Sequence, residues 1–222
     1  MESTIDHEEE MAYYDSHASL PHIDKRDKKE TKEEIVLCDK SVILFVGDPN
    51  EAVREDVTNS LIFAQVAADK FTDKWYKDCK DTPNVIDIVK YWSSKYQETF
   101  QAMKWSVTES ATDETEVTGK DINVEKILVQ VIESIATDQE KEVFKSAIKV
   151  LKAVPEEDNR LSLFKSRTVQ RDTTQFMVHM IYIDPRGAAK MTSTLFALST
   201  KEKITNVLWF SSNDANTKVY IS

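Results

Sequence analysis

Glycine is almost missing from this 222-residue chain, which has three, and cysteine is rarer still, with Cys38 and Cys79 alone. No stretch approaches the roughly 18 consecutive apolar residues that mark a transmembrane helix. The N-terminus, MESTIDHEEE, lacks both the basic start and the apolar run of a secretory signal. Each shortage excludes something. Scarce glycine argues against a loop-built enzyme that cradles phosphates, and neither GxGxxG nor GxxxxGKS/T occurs. Two cysteines make no disulfide framework, and they are read as free thiols that fill space as small apolar groups. Basic charge is also in short supply. The net charge of −10 opposes nucleic-acid binding, because neutralising phosphates supplies the non-specific affinity. Synthesis in the cytoplasm without a signal peptide is expected.

What is present is unevenly spread. Residues 1–34 hold eleven Asp/Glu against five Lys/Arg, so six of the ten net negative charges sit in that arm. Its apolar content is too low to offset ordering entropy, and it reads as an acidic, flexible N-terminal segment. Lys25, Arg26, Lys28, Lys29 and Lys32 offer cleavage sites in it, since nicking concentrates in exposed segments. The remaining 35–222 read as one domain.

Hydropathy periods divide that domain. Val42, Leu44 and Val46 alternate with Ile43 and Phe45, a strand apolar on both sides. Val57, Leu61, Ala64, Ala68, Phe71 and Trp75 form one helical stripe. A second helix is expected to start at Thr82 and Pro83 and to bury Val85, Ile88, Val89, Trp92 and Tyr96. Residues 104–117 alternate in part and predict a strand carrying Trp105. Ile122, Ile127, Leu128, Val131, Ile132 and Ile135 line a third helix. Thr137 with Glu140 is a capping-box signature for a fourth, buried through Phe144, Ala147, Ile148 and Leu151. After Pro155 the period becomes two, predicting strands in RLSLFKSRTVQ, TTQFMVHMIYI, AAKMTSTLFALST, ITNVLWFSS and TKVYIS. Within TTQFMVHMIYI, Phe176, Val178, Met180 and Tyr182 point one way; Met177, Ile181 and Ile183 point the other, with His179 among them. A strand dry on both faces needs a covering layer on each side. Two helical hairpins can supply them. The fold class expected is therefore α/β: a single-domain three-layer α-β-α arrangement with a mostly antiparallel sheet.

Chemistry is hard to find. His7, His17 and His22 lie in the arm, and a mobile segment holds no preorganised metal site. His179 sits among Met, Val and Ile and reads as a satisfied core histidine. Paired carboxylates such as Glu140 and Glu142 fall in charge runs. No enzyme activity, metal or cofactor is expected.

In order and local pattern the chain resembles the Cyt δ-endotoxins, the cytolytic crystal-toxin family that includes mushroom volvatoxin. The likeness is carried by VILFV leading into SLIFAQVAADKF, by INVEKILVQVIESIATDQEKEVFKSAIKVL, and by DTTQFMVHMIYIDPRGAAKMTSTLFALS followed by KITNVLWFSSNDANTKVYIS. It spans residues 35–222. The resemblance implies a sheet between two layers of helical hairpins, the cytolysin fold. It also implies a pore-forming toxin that binds membrane phospholipid directly, acts extracellularly on target-cell membranes and forms a homo-oligomer there. Its soluble protoxin, often a homodimer in this family, would be activated by N-terminal proteolysis, with residues 1–34 as prosegment. Carried over, the membrane-insertion strands hold Leu163, Phe164, Phe176, Val178, Met180, Tyr182, Leu195, Phe196, Leu198, Leu208, Trp209 and Phe210. A soluble, non-lytic interaction module sharing the fold is the alternative.

Overall fold

Six strands lie side by side in one sheet, and its central strands are apolar runs that need cover on two sides. The computed structural model describes residues 34–47, 50–106, 115–155, 158–170, 173–183 and 188–222. The acidic arm, with Lys25, Arg26, Lys28, Lys29 and Lys32, lies outside the described residues, as do the turns at 171–172 and 184–187. Glu34–Cys38 (β1) and Ser41–Val46 (β2) pair antiparallel. They turn at Asp39, whose φ of 48° suits an aspartate. Strand β2 then runs parallel to the long strand Thr173–Ile183 (β6), with Ser41 opposite Met177 and Val46 opposite Tyr182. Strand β6 pairs antiparallel with Ala189–Ser199 (β7), setting Phe176 against Phe196. Lys218–Ile221 (β9) and Thr115–Thr118 (β3) complete the row. Val169–Gln170 (β5) adds to the start of β6, and Ile122–Asn123 (β4) pairs with Ser211–Ser212 (β8) apart from the main sheet.

Four helices form two hairpins, and each start is explained by a side-chain cap. Asn50 accepts from the Val53 N–H at the head of Glu51–Asp78 (α1). Asn84, not Thr82, caps Val85–Ala102 (α2) by accepting from Asp87 at 3.0 Å, so Pro83 stands before the helix instead of opening it. Asn123 caps Val124–Ile135 (α3). Thr137 and Glu140 close the expected capping box on Asp138–Ala153 (α4). Residues 32–222 form one compact unit of α/β class: helices on both faces of a mostly antiparallel sheet, as the periodicity implied.

Three expected strands are different elements. RLSLFKSRTVQ is mostly the helix Asn159–Thr168 (α5), so Leu163 and Phe164 are helical. Its segment satisfies both periods, but the Asp158 carboxylate accepts from the Arg160 and Leu161 N–H groups and starts a helix that buries Leu161, Phe164 and Thr168. In ITNVLWFSS, Asn206 accepts from the Leu208 N–H and winds Val207–Trp209 into a 3₁₀ turn. Leu208 and Trp209 thus lie in that turn and Phe210 at its end, off any strand. Of the strand expected at 104–117, Thr115–Thr118 is present; α2 runs on to Ala102, and Trp105 packs edge-on against Phe100 at 5.5 Å. Residues 107–114 lie outside the described set. Two helical stripes shift as well. Phe71 and Ile135 are exposed, with Thr72 buried in place of Phe71, and Ile122 belongs to β4.

Candidate functional site

Strand β6 is covered on both faces, and the buried imidazole and buried ion pair lie on one of them. Its even-numbered side chains Phe176, Val178 and Met180 join Val42, Leu44 and Val46 of β2 and Phe196 and Leu198 of β7. Leu128 and Ile132 of α3, Phe144, Ala147 and Leu151 of α4, and Phe164 of α5 close over them. Phe176 stacks on Phe196 with ring centroids 5.1 Å apart and meets the edge of Phe164.

The odd-numbered face meets α1 and α2 through apolar side chains such as Ile43, Phe45, Ile181, Leu61 and Phe100, with a set of polar groups among them. His179 is fully buried, its Nε2 2.8 Å from Ser41 Oγ and its Nδ1 2.7 Å from Ser193 Oγ. Gln65 of α1 donates to the same Ser41 hydroxyl. The Tyr96 ring of α2 lies nearly parallel to the imidazole at 6.3 Å. Lys40, in the β1–β2 turn, is buried to 1% exposure and donates to both Asp69 oxygens at 2.6 and 2.8 Å. Trp92 Nε1 donates to Asp69 Oδ1 at 2.6 Å, so one α1 carboxylate binds the sheet turn and the α2 indole together. The Arg54 guanidinium stands 5.9 Å over Phe45. Four buried polar atoms on these elements, Tyr96 Oη, Thr72 Oγ1, Gln65 Oε1 and Gln175 Oε1, have no hydrogen-bond partner in the described protein. Each such group costs about 1–3 kcal/mol of desolvation.

Burial alone pushes His179 down from 6.5 to about 3. The sign follows from that direction. A folded-state value below the unfolded one means stability is full above about pH 6.5 and is lost as pH falls toward 3. Burial, with Asp39 adding, pushes the Cys38 thiol up to about 12, so it stays a packing group at neutral pH. Cys79 is also a free thiol.

A serine hydroxyl on an imidazole is the nucleophile–base arrangement, and Ser193 is exposed. The imidazole is wholly buried, and burial holds it well below the usual histidine range. A cleft of about 390 Å³ lies between α2 and the β3–β9 edge, lined by Val89, Lys90, Gln97, Glu116 and Tyr220 among others, with neither His179 nor Ser193. Among the described residues, no group of three His, Cys, Asp or Glu side chains could hold a metal ion.

The structure brings most of the strand residues named from sequence together. Phe176, Val178, Met180, Phe196 and Leu198 share the apolar face, and Leu195 lies on the other. Tyr182 stands 40% exposed at the far end of β6. Phe164, Leu208 and Phe210 reach the same apolar cluster from α5 and the 3₁₀ turn, with Trp209 packed at its margin. Leu163, on α5, is outside it. What sequence reading missed is the polar seam of Lys40, Ser41, Gln65, Asp69 and Ser193. Its one local signal is Gln65, four positions after Leu61 on the apolar stripe of α1.

No family model matches this sequence, and comparison with curated proteins gave no match. Among solved structures, a delta-endotoxin aligns over 91% of this chain and 87% of its own, at 13% identity and a TM-score of 0.38. The Evf virulence factor aligns over 96% and 79%, at 10% identity and a TM-score of 0.22. Likeness at that level leaves this chain's own residues to carry a functional conclusion.

Proposed function

We propose that the protein is a membrane-active cytolysin whose β6–β7 hairpin enters lipid once its helical covers move aside. The observation that carries this reading is β6 itself: eleven residues, apolar on both faces except for His179 and the residues at its start. A tilted membrane strand needs about 9–11 residues. Burying the seven large apolar side chains between Phe176 and Ile183 is worth roughly 10–20 kcal/mol as an upper bound, and lipid can recover much of it. Bilayer and helices compete for the same surface.

Strand β7 supports the reading from the other side. Thr194, Thr192 and Lys190 stand opposite Val178, Met180 and Tyr182, so one face of the hairpin is half polar. Open sheet edges are not tolerated in hydrocarbon, so insertion requires closure or a homo-oligomer, and that polar stripe suits a wet lumen. Among the described residues no helix is long and apolar enough to cross a membrane. In this account the protein is a protoxin that meets phospholipid directly at the target-cell surface. Cleavage within Lys25 to Lys32 frees it from the acidic arm.

Dye-loaded phosphatidylcholine vesicles test the proposal. Micromolar protein is expected to release dye, with more release after limited trypsin treatment. Vesicles that stay intact with and without trypsin would overturn it and favour the non-lytic interaction module.

A further inference from the structure

We propose that the α1–α2 hairpin is an acid-released cover, unlatched at the Lys40–Asp69–Trp92 and Gln65–Ser41–His179–Ser193 contacts while α3, α4 and α5 remain on the opposite face. The observation is the asymmetry between the layers. The polar side chains buried on the face under α3, α4 and α5, Thr174 and Thr194, do not titrate. The face under α1 and α2 buries apolar side chains such as Phe45, Leu61 and Ile181, but among them it also holds a buried ion pair, an imidazole bonded on both nitrogens and several buried polar atoms lacking partners. Apolar burial does not change with pH, but a buried imidazole does.

The groups on the seam set the direction. From the β1–β2 turn come Lys40 and Asp39, the latter 3.8 Å from Arg167 of α5. From α1 come Gln65, Asp69 and Arg54, from α2 Trp92 and Tyr96, and from β7 Ser193. A proton on His179 places a second cation on the sheet side of a seam whose anion, Asp69, already serves Lys40 and Trp92. It also turns Nδ1 and Nε2 both into donors, which the two serine hydroxyls must then accept. Uncovering the imidazole lets it bind a proton at its ordinary value of 6.5 instead of about 3. Lowering pH from about 7.5 to about 4.5 therefore favours release of α1–α2 by about 100-fold. The device needs no membrane, so its failure would leave the leakage result untouched.

Hydrogen exchange of the full chain, read by mass spectrometry and corrected for intrinsic exchange, tests it. Between pH 7.5 and 4.5 the protection of residues 51–102 is expected to fall by about 100-fold, with residues 124–153 unchanged. His179→Gln, which is neutral throughout, should flatten the pH dependence of residues 51–102. Loss of protection in both layers together, retention in α1–α2 at pH 4.5, or an acid step that survives in His179→Gln would each overturn the proposal. Should that variant not fold, the comparison of the two layers in the natural chain decides.

Discussion

Replacing Phe176 by alanine is expected to lower folding stability by about 3–5 kcal/mol, the usual cost of truncating a buried phenylalanine. Phe176 has no exposed surface. Its ring is stacked on Phe196 and capped by the edge of Phe164, so three elements (β6, β7 and α5) meet on one side chain. The apolar layer has few ways to collapse into the hole, because the strand register pins Phe176 opposite Phe196. Urea unfolding followed by circular dichroism reads the loss as a fall in midpoint at constant slope. A change below about 1 kcal/mol would mean that α5 does not close this face as described.

Asp69→Leu is expected to cost about 3 kcal/mol, for a different reason. It removes the carboxylate that receives both the Lys40 ammonium and the Trp92 indole, in a place where the Lys40 side chain is 2% exposed. The figure sits at the low end for a broken buried pair, because the Asp69 side chain keeps 25% exposure and water softens the loss. The double variant Lys40→Met with Asp69→Leu should recover much of the stability, since a buried ion pair and a well-packed apolar pair are often equivalent. Equal unfolding midpoints for the natural chain and Asp69→Leu would show that the seam does not depend on this pair.

The two variants probe layers that differ in how far sequence could reveal them. The apolar layer was legible. The stripe Phe144, Ala147, Ile148 and Leu151 and the Thr137–Glu140 box are local signals, and both stand in the structure. His179 was readable as a core histidine because every near neighbour on β6 is apolar. Its partners were not. Ser41 lies 138 residues away and comes alongside only because β2 runs parallel to β6, a pairing that no local period encodes. Lys40 and Asp69 look like ordinary surface charges until the β1–β2 turn is set beneath α1. In α5 the failure was one of ambiguity. Leu161 and Leu163 alternate as in a strand, while Leu161, Phe164 and Thr168 also fit a helix. In so short a segment the Asp158 cap decides.

The polar seam also changes the meaning of the dry strand. A strand covered by two equal apolar lids is merely a core. A strand with buried titratable groups under one lid has, on the proposal above, a conditional cover, and releasing α1–α2 would expose Met177, Ile181 and Leu195 beside the opposite cluster. Membrane entry and acid release remain separable, since lipid could displace the cover at neutral pH and acid could displace it in water.

The most direct measurement places a probe on the hairpin itself. Met191→Cys, on partly exposed β7, would carry an environment-sensitive fluorophore in a chain with Cys38→Ala and Cys79→Ser. On adding phosphatidylcholine vesicles to trypsin-treated protein, emission should shift to the blue and become quenchable by nitroxide-bearing acyl chains. Emission that stays unshifted and quenchable only by aqueous iodide, with protein demonstrably bound to the vesicles, would contradict entry of the β6–β7 hairpin into lipid.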